Sequence, residues 1–146
     1  MSAPAPDAEL RRAAASLELV RGQMEALGRQ AETLQIALEE VLRARETLSH
    51  AHEAGAGREI LVPIGANGFL FGQVKDADRV ILGIGSDVAI EQTVAGAIER
   101  LNGRSRAIEE AERGLAERMA QLEQQADAYN RRVQELYEQA QGAPPG

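Results

Sequence analysis

Apolar residues recur every seven positions at both ends of this chain and crowd into short, glycine-bounded runs in the middle. On the N-terminal side Leu10, Leu17, Met24, Ala31 and Leu38 form one series, and Ala13, Val20, Leu27, Leu34, Val41 and Leu48 form a second, offset by three. On the C-terminal side Leu101, Ile108, Leu115, Leu122, Tyr129 and Leu136 repeat by seven, with Ile98, Met119, Ala126 and Val133 as companions. Seams of this length with polar residues between them predict coiled coil. Two seams of nearly equal length around a turn-rich centre predict a chain that runs out and returns.

The first helix is expected over residues 8–53, rich in Ala, Leu, Glu, Arg and Gln, all good helix formers. At ~1.5 Å per residue, Leu10 to Leu48 would extend for roughly 58 Å. Gly55-Ala56-Gly57 supplies its stop. A second helix is expected over 91–141, and the Pro- and Gly-rich ends, 1–7 and 142–146, read as disordered tails. One antiparallel register pairs Leu10 with Leu136, Leu17 with Tyr129, Met24 with Leu122, Ala31 with Leu115 and Leu38 with Ile108. Two polar residues strain it, since Glu112 would face Leu34 and Ser105 would face Val41.

Residues 58–90 read as two consecutive β-hairpins. Ile60-Leu61-Val62-Pro63-Ile64 is closed by the turn signal Gly65-Ala66-Asn67-Gly68, and Phe69-Leu70-Phe71-Gly72-Gln73-Val74 follows. Val80-Ile81-Leu82-Gly83-Ile84 is closed by Gly85-Ser86-Asp87, and Val88-Ala89-Ile90 is a short fourth strand. Leu61 and Ile81 break the alternation, so the strands are apolar on both faces in places. Four short strands cannot close a core alone, and bare apolar strands aggregate unless covered. Ile60, Val62, Ile64, Phe69, Phe71, Val80, Leu82, Ile84, Val88 and Ile90 are therefore the expected subunit interface. The predicted fold class is mainly α with a small β region: a long antiparallel two-helix coiled coil whose helices are joined by two hairpins that form an oligomerisation platform.

Composition narrows the function classes. The 146 residues carry a net charge of -7 and 3% aromatics with no Trp, which leaves little material for a large globular core. No basic stretch offsets the charge, so a nucleic-acid partner is not expected. Lys75 is the only lysine among 16 basic residues, and composition alone gives no reason for that depletion. Cysteines are absent, which excludes disulfides and thiolate chemistry. No apolar run approaches the ~18 residues of a membrane span, and Met1–Asp7 lacks the pattern of a secretory signal. A cytoplasmic protein without membrane contact is expected.

Catalytic chemistry finds little support. Gly83-Ile84-Gly85-Ser86-Asp87-Val88 opens like a dinucleotide loop but has Val where the third glycine belongs, and a hairpin turn explains it. His50 and His52 lie on different faces of a helix, with no third ligand at metal-site spacing. The acidic residues fall at outward heptad positions such as Glu39 and Glu123. No catalytic residue, cofactor or metal is expected. Tyr129 and Tyr137 are the only tyrosines, both near the C-terminal end, where an amphipathic ring suits adaptable binding.

The central stretch Ile60-Leu61-Val62-Pro63-Ile64-Gly65 through Gly68-Phe69-Leu70, then Val80-Ile81-Leu82-Gly83-Ile84-Gly85 and Val88-Ala89-Ile90, resembles the hairpin block of the prefoldin family. Two hairpins rather than one resemble its α class, of the archaeal type. The resemblance implies an ATP-independent chaperone subunit, a holdase, that assembles as two α with four β-class subunits through a strand platform. It further implies coiled-coil tips that grip non-native polypeptides and deliver them to a group II chaperonin. Both chain ends would meet at the tip, so Leu10, Leu17, Val20, Tyr129, Val133, Leu136 and Tyr137 are the expected client-binding residues. The alternative is an oligomeric coiled-coil scaffold that spaces partners without chaperone action.

Overall fold

The computed structural model describes residues 6–142, in the order α1 (Pro6–Ala54), β1 (Glu59–Gly65), β2 (Gly68–Gln73), β3 (Arg79–Gly85), β4 (Val88–Thr93) and α2 (Val94–Gly142). The expected tails lie outside the described residues, save that Pro6, Asp7 and Gly142 belong to helices. Pro6 suits a first helical turn, where its missing N–H costs nothing, and Asp7 and Glu9 oppose the positive end of the helix dipole. Gly55 ends α1: its N–H donates to the Ala51 carbonyl at 3.1 Å and its φ is +84°, a left-handed cap.

The chain divides into two compact units. The first takes residues up to Gln35 and from Glu110. Val20, Leu27 and Leu122 are buried at its centre, with Met24, Leu115, Met119, Ala126 and Tyr129 packed against them. Ala13, Leu17, Val20, Met24 and Leu27 are spaced alternately four and three apart, as are Leu115, Met119, Leu122, Ala126 and Tyr129. That is the stripe a two-helix seam requires. Met24 and Leu122, paired in the expected register, share this cluster. Ala31 is exposed, so the seam is thinnest there, and Glu112 is half-buried. Glu9 and Arg132 form an ion pair at 3.0 Å.

The second unit spans Ile36–Glu109 and holds both hairpins. Val94, Ala97, Leu101 and Ser105 are buried along the first turns of α2. Ser105 is 5% exposed, and its hydroxyl donates to the Asn102 carbonyl at 2.9 Å. A helical serine can satisfy itself in this way, so it occupies the seam without leaving an orphaned polar group. Arg45 donates to Asn102 Oδ1 at 2.8 Å, tying α1 to α2.

β1 pairs antiparallel with β2, and β3 with β4, as two separate two-stranded sheets. Ala66 and Asn67 turn the first hairpin with φ of 49° and 60°, and Ser86 and Asp87 turn the second with 51° and 61°. Both central residues left-handed is the geometry that matches strand twist. Gly65 and Gly85 precede these turns with φ of 94° and 115°, values that favour glycine. β4 runs to Thr93, past Ile90 where the sequence reading ended it, because Glu91 still pairs with Ile81 and Thr93 with Arg79. Thr93 then starts α2: its Oγ1 accepts from Gly96 N–H at 3.1 Å, an N-cap that Glu91 could not provide from its strand position.

Candidate functional site

The two hairpins are one unit written twice, twenty residues apart. Glu59 pairs with Gln73 as Arg79 pairs with Thr93, Val62 with Leu70 as Leu82 with Ile90, and Gly65 with Gly68 as Gly85 with Val88. Residues opposite each other share a face. In the first hairpin one face therefore carries Ile60, Val62 and Leu70, and a Cβ added at Gly72 would meet Val62 and Ile60 at 3.4–3.6 Å. The other face carries Leu61, Pro63, Phe69 and Phe71. All of these side chains are exposed, Phe71 at 78% most of all.

The second hairpin differs. Val80, Leu82 and Ile90 share a face and are half-buried. Val80 and Leu82 line a groove with Ala44, Thr47 and Leu48 of α1. The opposite face carries Ile81, still 70% exposed, beside Gly83, Ala89 and Glu91. Arg79 and Glu91 form an ion pair there, and Arg104 of α2 donates to the Gly83 carbonyl.

Of the ten expected interface residues, Ile60, Val62, Ile64, Phe69, Phe71, Ile84 and Val88 are exposed, and Val80, Leu82 and Ile90 are half-buried. Leu61, Leu70 and Ile81 are exposed large apolar residues of the same strands that the interface prediction left out. Leu61 and Ile81 already stand out as breaks in the two-residue alternation, and the twenty-residue repeat places Leu70 over the expected interface residue Ile90.

The seven expected tip residues all lie in the first unit. Leu17, Val20 and Leu136 are buried, Leu136 almost completely at 1% exposure. Leu10, Tyr129 and Val133 are half-buried, and Tyr137 is exposed, its hydroxyl accepting from Gln141 Nε2 at 2.9 Å. His52 Nδ1 lies 3.1 Å from the Ala77 carbonyl and 3.2 Å from Asp78, pinning the end of α1 to the segment between the hairpins. Among the described residues no three His, Asp or Glu side chains gather where a metal ion could sit. No described helix is long and apolar enough to cross a membrane.

Residues 20–139 match the prefoldin family in its description "Prefoldin subunit". Prefoldin subunit alpha of Pyrococcus horikoshii is 33% identical over 129 residues, covering 88% of this chain and 87% of that protein. Prefoldin subunit alpha of Methanospirillum hungatei is 29% identical over 146 residues, covering 100% of this chain and 97% of its own length. The cryo-EM structure of filamentous PFD from Methanocaldococcus jannaschii shares the fold, with a TM-score of 0.69 at 18% identity over 77% of this chain and 93% of that one. With two hairpins between two paired helices and relatives of this kind along its length, the chain belongs to the prefoldin family of chaperone subunits, in its archaeal alpha type.

Proposed function

We propose that this subunit acts as an ATP-independent holdase: it joins two α to four β-class subunits through its hairpins, grips non-native polypeptides with the free ends of its helices, and passes them to a group II chaperonin in the cytoplasm. The observation that carries the reading is the first hairpin, whose two faces are both apolar and both exposed in the single chain. A strand pair of that kind is stable in water only when other strands cover it. Assembly in turn gathers several helix pairs, and weak contacts multiplied in one complex gain affinity through effective concentration. Non-native chains expose scattered apolar patches of no fixed shape, so grip by many small contacts suits them.

At the helix ends the grip has two sources. Tyr137 is available as the chain stands, whereas Leu17, Val20 and Leu136 become available when the terminal turns fray. End turns lack continuing hydrogen bonds and fray most readily. Each side chain then offers apolar area worth at most ~1.5–3 kcal/mol.

The test is suppression of aggregation of a chemically denatured client by the assembled complex, with and without ATP. Deleting residues 1–20 together with 129–146 is expected to abolish suppression while the subunit stoichiometry, read by native mass spectrometry, stays unchanged. Full protection by the truncated complex overturns the tip assignment. Dependence on ATP overturns the holdase reading. A complex that assembles but protects no client in either form would leave the scaffold alternative standing.

A further inference from the structure

Leu136 is 1% exposed although α2 ends only six residues later, at Gly142. Among the described residues Leu136 is the last buried one of α2 and Ala13 the first of α1, with Leu17 and Val20 following inward. One member of an ion pair stands four residues before each: Glu9 before Ala13, and Arg132 before Leu136. Residues four apart are neighbours on a helix face. In the register that joins Met24 to Leu122, Glu9 stands level with Tyr137 and Arg132 with Ala14. The two side chains therefore reach toward each other along the stretch that holds Ala13, Val133 and Leu136, and meet at 3.0 Å.

Arg132 holds two carboxylates at once. Its Nη2 donates to Glu9 of α1, and its Nη1 donates to Glu135 of its own helix at 3.4 Å. Parting the helix ends breaks the first bond only, because the second lies within α2. The guanidinium keeps a partner when the ends open, and Glu9, already 34% exposed, passes into water. Neither state buries an unpaired charge, so the two are close in free energy. A pair this exposed favours the closed state by a factor of about 1.5 to 5.

We infer that the Glu9–Arg132 pair is an autoinhibitory clasp: it holds the helix ends closed over Leu136, Leu17 and Val20 and so limits how often they meet a client. The inference rests on the helix ends being the client-binding surface, as proposed above. A client that binds only open ends gains apparent affinity in proportion to the open fraction. Weakening the clasp therefore loosens the ends and strengthens the grip together, whereas a pair that merely supported the arm would lose grip with order. The clasp is also salt-sensitive. Screening shortens from about 8 Å at physiological ionic strength to about 3 Å at 1 M, which removes the attraction between exposed charges.

Glu9→Gln and Arg132→Gln each remove one charge and keep a polar side chain in its place. In complexes formed with β-class partners at low salt, either is expected to speed amide exchange in the end turns of α1 and α2 by about 1.5- to 5-fold. The concentration of complex that halves aggregation of a chemically denatured client should fall by the same factor. The double variant should gain less than the product of the two single gains, because the singles break one shared contact. In about 1 M NaCl the variants should match the unsubstituted complex measured at the same salt. Unchanged exchange in both single variants, faster exchange without stronger protection, gains that multiply in the double variant, or gains that survive high salt overturn the inference alone. Failure of the unsubstituted complex to protect the client overturns the proposed function with it.

Discussion

The two hairpins share a turn, a bulge and a register, yet only the second has one apolar face half-buried within the chain. The second lines a groove beside α1 with Val80 and Leu82, carries the Arg79–Glu91 pair on its other face, and ties β3 to α2 through Arg104. The first presents Ile60, Val62 and Leu70 on one side and Leu61, Phe69 and Phe71 on the other, all exposed. Equivalent positions show where they diverge: Phe71 stands over Glu91, and Gly72 over Gln92. The comparison teaches that a duplicated motif can serve two ends, one anchoring the hairpin block to the helices and one left for other chains to complete.

The sharpest way to break this contrast is to write the second hairpin's residue into the first. Phe71→Glu places a charge where a partner strand should cover an aromatic ring, at the cost of ~1.5–3 kcal/mol of apolar burial at each interface plus desolvation of the carboxylate. Assembly should be lost by light scattering, while circular dichroism of the isolated chain stays the same, because Phe71 is already 78% exposed there. A complex that forms normally with Phe71→Glu would show that the first hairpin is not the open one.

A smaller effect tests the anchoring role. Leu82 and Val62 occupy equivalent positions, half-buried in one hairpin and exposed in the other. Leu82→Ala should destabilise the isolated chain by about 1–2 kcal/mol, below the usual range for a fully buried leucine. Val62→Ala should change the unfolding free energy, measured for both variants by urea denaturation, by less than about 0.5 kcal/mol. Equal effects would mean that both hairpins dock alike.

The smallest concerns Gln92, on the half-buried face of β4. Its Nε2 is buried and has no hydrogen-bond partner among the described residues. A buried donor without a partner costs roughly 1–3 kcal/mol, and methionine has nearly the same length. Gln92→Met should therefore raise the melting temperature by an amount corresponding to about 1 kcal/mol or less. A fall would mean that the amide does useful bonding in the folded chain.

Much of this was legible in the residues. The heptad series marked the helices, and the pairs Gly65-Ala66-Asn67-Gly68 and Gly85-Ser86-Asp87 marked both turns to the residue. The end of β4 was not legible: Glu91-Gln92-Thr93 is polar and reads as helix, and only cross-strand pairing with Arg79, Val80 and Ile81 makes it strand. Ser105 looked like a fault in the seam, because a linear reading cannot show that its hydroxyl turns back to the Asn102 carbonyl. Leu61 and Ile81 are legible as breaks in the alternation, but spacing along the chain does not show that they stay exposed once the chain has folded, which makes them part of the apolar surface left to cover.

The sequence by itself determined the periods: seven-residue seams, two-residue strands and the twenty-residue repeat are all properties of spacing along one dimension. Tertiary structure alone decided which copy of the repeat has one face half-buried and which has both faces bare. Arg104 reaching Gly83, Arg45 reaching Asn102 and Leu82 turning toward the groove beside Leu48 join residues 21 to 57 positions apart. Local spacing fixes what each segment can bury; only the folded chain fixes what is there to bury it against.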